Sequence, residues 1–121
     1  MSLKQSLLSA QWREYKRVSV EGADGPVELV IRRPPDTRVV ALLEGAQKEG
    51  LLNAATEPTS PAAGLRFRAR VVATVVFLPN DVTPLFTEAE VLEWPAVSEV
   101  EAHCMAALVP PGAQIERLKG K

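Results

Sequence analysis

The sequence predicts an α+β fold: a short N-terminal helix, a β-hairpin, then a cluster of three to four helices. Three observations carry that prediction. Two β-rich runs flank a loop with two glycines early in the chain. Beyond Pro34-Pro35 the apolar residues recur at helical spacing, and 121 residues suffice for one domain but not comfortably for two. Residues 1–109 are therefore expected to form a single domain, with 110–121 as a flexible C-terminal tail.

Leu3, Leu7 and Leu8 repeat at helical spacing until Gln11 to Arg13 leave the pattern, which predicts a short, weakly anchored helix. Glu14 to Val20 ends in polar/apolar alternation, and Pro26 to Arg32 is rich in β-branched residues, so both read as strands. Between them Glu21 to Gly25 reads as a five-residue hairpin loop, because Gly22 and Gly25 take positive φ at little steric cost.

Pro34-Pro35 ends the second strand by removing two ladder donors. Asp36 then stands where an N-cap belongs, ahead of the stripe Val39, Val40, Leu42, Leu43 and Ala46, and Gly50 suits the C′ position. Leu51 to Gly64, with Pro58 and Pro61 among Asn, Thr, Ser and Ala, reads as a mobile loop.

Residues 65–78 satisfy two periods. Leu65, Phe67, Ala69 and Val71 alternate with arginines as in a half-buried strand, whereas Phe67, Val71, Val75 and Leu78 recur as on one helix face. The length without a turn signal favours helix, ended by Pro79-Asn80-Asp81. Thr87-Glu88-Ala89-Glu90 has the form of a capping box, opening a short helix to about Trp94. Pro95 fits the first turn of a last helix in which Val97, Val100, Cys104 and Leu108 share a face, with Pro110-Pro111-Gly112 as its stop.

Composition excludes several function classes. The 14 basic and 15 acidic residues leave a net charge of -1, without the basic excess of a protein held by phosphate contacts. The one cysteine, Cys104, is read as excluding a disulfide framework within the chain and any cysteine-based zinc site. No apolar run approaches the length of a membrane span or of a secretory signal, so the protein is expected in the cytoplasm with its thiol reduced.

Catalytic chemistry finds no constellation. His103, the only histidine, has Glu99 one turn away and Cys104 about 100° around the helix, which is neither a metal ligand set nor a nucleophile pair. Ser60 and Ser98 lie in no nucleophile elbow, and the glutamates from Glu88 to Glu101 are spaced as on a solvated helix surface. The sequence thus predicts a non-enzyme without cofactors or metal. Charge is uneven along the chain. Residues 1–70 hold 11 Lys and Arg against 8 Asp and Glu, and residues 71–121 hold 3 against 7. Arg66, Arg68 and Arg70 with Arg32 and Arg33 suggest a basic patch, but no aromatic platform accompanies it, so a protein partner is expected before nucleic acid.

One stretch resembles a known family. Phe67 to Phe77, an Arg/Val/Ala helix, is followed by Pro84-Leu85-Phe86-Thr87-Glu88-Ala89-Glu90-Val91-Leu92 and a final helix ending near Leu108. Together with the opening Met1 to Leu8 and the basic strands, this layout is similar to the tail assembly chaperones of long-tailed, siphovirus-like bacteriophages and prophages. The resemblance implies a non-enzymatic protein, working in the bacterial host cell, that binds and solubilises the tape-measure protein during tail assembly. Leu85 and Phe86, with Arg66 and Arg70 on the preceding helix, are then the expected partner contacts. Further expected partners are the tail-tube protein and a second copy of the chain. The alternative is a virion structural or head–tail connector protein, retained in the particle.

Overall fold

The computed structural model describes residues 2–8 and 10–109, so the expectations for 110–121, including the stop at Pro110-Pro111-Gly112, lie outside the described residues. The fold is α+β. Helix α1 spans Leu3–Leu8 and buries none of its residues. Strands β1 (Arg13–Gly22) and β2 (Gly25–Arg33) form the hairpin. Helices α2 (Asp36–Lys48) and α3 (Pro61–Val75) follow, then strand β3 (Val76–Phe77) and helices α4 (Glu88–Glu93) and α5 (Val97–Ala107). The sheet is antiparallel throughout, in the order β1-β2-β3.

The hairpin turn is tighter than its sequence suggests. Gly22 pairs with Gly25 across the ladder, so only Ala23 and Asp24 remain in the turn and the expected five-residue loop is corrected to two. Gly25 holds φ +123°, a conformation closed to other side chains, which lets the strands continue to the very tip. A bulge inserts Tyr15 between Glu14 and Lys16, and its ring lies under the Arg33 guanidinium with 5.2 Å from Cζ to the centroid. Arg33 Nε also donates to the Ala107 carbonyl at 3.2 Å, fastening the sheet to the C-terminal end of α5.

Strand β2 separates two faces. Leu29 and Ile31 point into the main core with Val71, Val72, Val75, Val100 and Cys104, all fully buried. Val30 and Arg32 alternate onto the opposite face, where Val30 pairs with Phe77. With Val, Leu and Ala supplying most of the core, close packing of small branched side chains takes the place of aromatic bulk.

The helical period holds where the two readings compete: Leu65 to Val71, which alternate as a strand would, lie within α3, and only Val76 and Phe77 beyond them become strand. Helix α3 runs to Val75, after which the backbone turns extended at Val76 (φ −95°, ψ 128°), and Val76 and Phe77 pair with Ile31 and Val30. Buried strand β2 offers free ladder groups there, and a two-residue strand satisfies them. The helix also starts earlier than expected. The Ser60 hydroxyl accepts the Ala63 amide and Pro61 occupies the first turn, so the loop reaching to Gly64 is corrected to end at Ser60.

Within 51–59, Leu51 and Leu52 are buried, Leu52 bridges to Pro58, and the Asn53 side-chain oxygen accepts the amides of Ala55 and Glu57. Asp36 is likewise the first helical residue rather than the cap. Pro35 precedes it without a side-chain cap, and Asp36 instead places its charge in the first turn, with Lys48 in the last. Gly50 takes φ +79° just beyond the α2 C-cap, as expected. Pro95 falls two residues ahead of α5, whose N-cap is Ala96, because the chain first turns at Trp94.

Candidate functional site

On the face of the sheet away from the main core lies a cleft of about 660 Å³. Its walls come from four parts of the chain: Ala10 to Trp12 before β1; Arg32 of β2 with Arg38 of α2; Arg70, Ala73, Thr74 and Phe77 along α3 and β3; and Asp81, Val82, Pro84, Thr87 and Glu88. The capping box fixes the last wall. The Glu90 amide donates to Thr87 Oγ1 at 3.2 Å while the Thr87 amide donates to Glu90 Oε1 at 2.8 Å. Upstream, Asn80 adopts φ +74° and the Leu85 amide donates to the Val76 carbonyl at 3.0 Å, which folds residues 79–87 back over β3. Gln11 Nε2 reaches the Asp81 carbonyl at 3.3 Å, closing the cleft between its first and last walls.

The lining combines apolar and cationic groups. Trp12 meets Phe77 edge-on at 6.0 Å between ring centroids, and Val82, 70% exposed, stands at the rim. Arg32 is 7% exposed. Its Cζ sits 5.5 Å over the Phe77 ring, Nη1 donates to the Trp12 carbonyl at 3.0 Å, and Nε has no hydrogen-bond partner. Arg70 bonds through all three of its nitrogens: it donates to both Glu49 carboxylate oxygens and to Glu88 at 3.2 Å. Those bonds hold the Glu49 carboxyl below its ordinary value, Arg70 hydrogen bonding being the chief cause, and raise that of Arg70.

The arginines that sequence reading grouped as one patch are dispersed. Arg68 pairs with Glu101 of α5, Arg70 bridges α2 and α4, and Arg66 is exposed. Arg33 is occupied by Tyr15 and Ala107, and Arg32 by Phe77 and Trp12. Leu85 and Phe86 are half-buried and pack on the core, with the Phe86 ring 4.8 Å from that of Trp94 at 34°. Of the expected contact residues only Arg70 lines the cleft, and Leu85, Phe86 and Arg66 lie outside its lining. Trp12, Arg32, Arg38 and Val82 were not singled out as a group, since no local pattern links them.

Cys104 is fully buried on α5, and desolvation pushes its thiol up to about 12, with the Glu101 charge adding to the effect. His103 beside it is half-buried. Among the described residues no three His, Cys, Asp or Glu side chains converge on a point that would hold a metal ion, and no helix is long and apolar enough to cross a membrane. Compared with known proteins, the chain matches no family model, no curated protein and no solved structure.

Proposed function

We propose that this protein is a non-enzymatic tail assembly chaperone of a phage or prophage, holding an amphipathic segment of the tape-measure protein in the bacterial cytoplasm until tail-tube subunits replace it. The observation that carries the reading is the open cleft beside β3, apolar along Trp12, Phe77, Ala73 and Val82 and edged by charged side chains. An amphipathic helix needs such a receptor: an apolar trough for its anchoring side chains and a polar rim that keeps the complex soluble. Helix α1, two residues ahead of the cleft-lining Ala10 along the chain, carries three exposed leucines, Leu3, Leu7 and Leu8. A chaperone must also release its client, which favours a modest contact over a deep one.

Co-expression tests the proposal. With this chain present, the tape-measure protein stays soluble and co-purifies with several copies of the chain. A tape-measure protein that is equally soluble alone, or that fails to co-purify across a range of salt, refutes the reading. Recovery of the chain from finished particles would instead identify a structural component of the virion.

A further inference from the structure

Arg32 and Arg38 line the cleft, and among the described residues neither makes an ion pair, whereas Arg17, Arg68 and Arg70 all do. Arg32 is the telling one. A guanidinium carries five N–H donors and a charge that is costly to bury without a counter-charge. Here it is more than nine-tenths buried, with one carbonyl and one aromatic face for company and Nε without a partner. The carboxylates that line the same cleft do not serve it: Glu88 is bound to Arg70, and Asp81 forms no ion pair among the described residues. The fold therefore maintains a buried cation beside an open cavity of mixed apolar and charged lining, an arrangement that a ligand supplying both an anion and apolar bulk would complete.

We propose that the cleft is a carboxylate-recognition site, and that its occupant is a polypeptide segment presenting a Glu or Asp side chain flanked by bulky apolar residues. The polypeptide nature of the occupant rests on the chaperone reading; the carboxylate rests on Arg32 and Arg38. The acidic side chain enters between the two guanidinia, which pair with it through charge-assisted hydrogen bonds, while its apolar neighbours cover Trp12, Phe77 and Val82. The shielding those neighbours bring strengthens the ion pair, because the same charges attract more strongly once water is excluded.

Calorimetric titration of the intact chain tests this with two short capped peptides of Leu and Ala that differ only in a central Glu or Gln. The Glu peptide binds at least about tenfold more tightly to the wild-type protein, the advantage expected of a charge-assisted pair over a neutral one. Arg38→Gln abolishes that advantage, as does Arg32→Gln; Arg38 is exposed, so its variant decides the matter even where Arg32→Gln fails to fold. Lys16→Gln, on the hairpin and outside the cleft, retains it. Equal affinities for the two peptides, or binding of neither, overturn the proposal. Inorganic phosphate binding as tightly as the Glu peptide also overturns it, by marking a general anion site. Co-expression separates this inference from the chaperone reading. A tape-measure protein kept soluble equally by the wild type and by Arg38→Gln refutes the carboxylate site alone. One left insoluble by the wild type refutes the chaperone reading, and the peptides then decide carboxylate recognition unaided.

Discussion

Arg70 grips Glu49 through two parallel hydrogen bonds, Nη1 to Oε2 at 2.5 Å and Nη2 to Oε1 at 2.8 Å, and so ties the middle of α3 to the end of α2. Its Nε reaches on to Glu88 at the start of α4. One guanidinium thereby joins three helices, and it does so at the edge of the cleft. The bidentate geometry is that in which a planar guanidinium outperforms an ammonium.

Arg70→Lys is accordingly expected to lower the Tm by a few degrees, because an ammonium cannot reproduce the two parallel bonds to Glu49 together with the bond to Glu88. The pH dependence has a definite sign. Folding lowers the Glu49 carboxyl, so its stabilisation is present above the ordinary carboxylate range and is lost as pH falls through the depressed folded value. Thermal melts of the wild type and Arg70→Lys therefore converge in acid and separate at neutral pH. A Tm difference that stays constant with pH would place the loss in packing instead.

Thr87→Ala removes one half of the capping box and is expected to cost about 1 kcal/mol in a urea melt. Thr87→Ser retains the accepting oxygen and costs less. An α4 that tolerates Ala without loss would mean that its start is held by Leu85 and Phe86 rather than by the cap.

How much of the fold and the cleft is legible in the sequence follows from how local each feature is. The capping box at Thr87, the inward stripe of Val100 and Cys104 and the glycine at the end of α2 are written within a few adjacent residues, and each appears where the pattern indicates. Ser60-Pro61 was equally local, but the surrounding prolines and threonines read as loop and masked a cap followed by an N1 proline. Val76 and Phe77 are different in kind. They become strand because Ile31 and Val30 present unpaired ladder groups, and no window along the chain contains that information. The cleft is the extreme case. Trp12, Arg32, Arg38 and Val82 meet only through tertiary structure, and the apparent basic patch dissolved once Glu49, Glu88 and Glu101 were brought to its arginines.

Phe86→Ala is expected to cost about 2 to 3 kcal/mol, since the ring is half-buried on the core and stacked against Trp94. Trp94 fluorescence would shift to the red as water reaches the indole. A loss under about half a kcal/mol would show that little of the ring's burial is used by the fold and would return Phe86 to the list of partner contacts.

Cys104 should behave as an inert apolar side chain. Native protein at pH 8 is expected to resist a thiol reagent such as iodoacetamide and to react promptly in urea. Because folding raises the thiol to about 12, its contribution to stability is intact below the unfolded thiol's range and is lost as pH rises through the folded value. Cys104→Ala therefore flattens the alkaline limb of the stability profile. Cys104→Ser keeps the side-chain shape at slightly smaller volume but leaves a hydroxyl buried, and is expected to cost about 1 to 3 kcal/mol.

Helix α1 supplies the sharpest separation of stability from binding. Leu3, Leu7 and Leu8 are 78%, 69% and 76% exposed, and the helix contributes nothing to the core. Replacing all three with serine should therefore change a urea melt by no more than about half a kcal/mol, the range typical of surface substitutions. Retaining three adjacent exposed leucines on so short a helix runs against solubility unless something covers them. If α1 helps to hold a client at the cleft mouth, the triple serine variant keeps its own fold yet recovers markedly less co-expressed tape-measure protein. Unfolding of that variant would reveal a packing role for α1, and undiminished recovery would confine the client contact to the cleft behind Trp12.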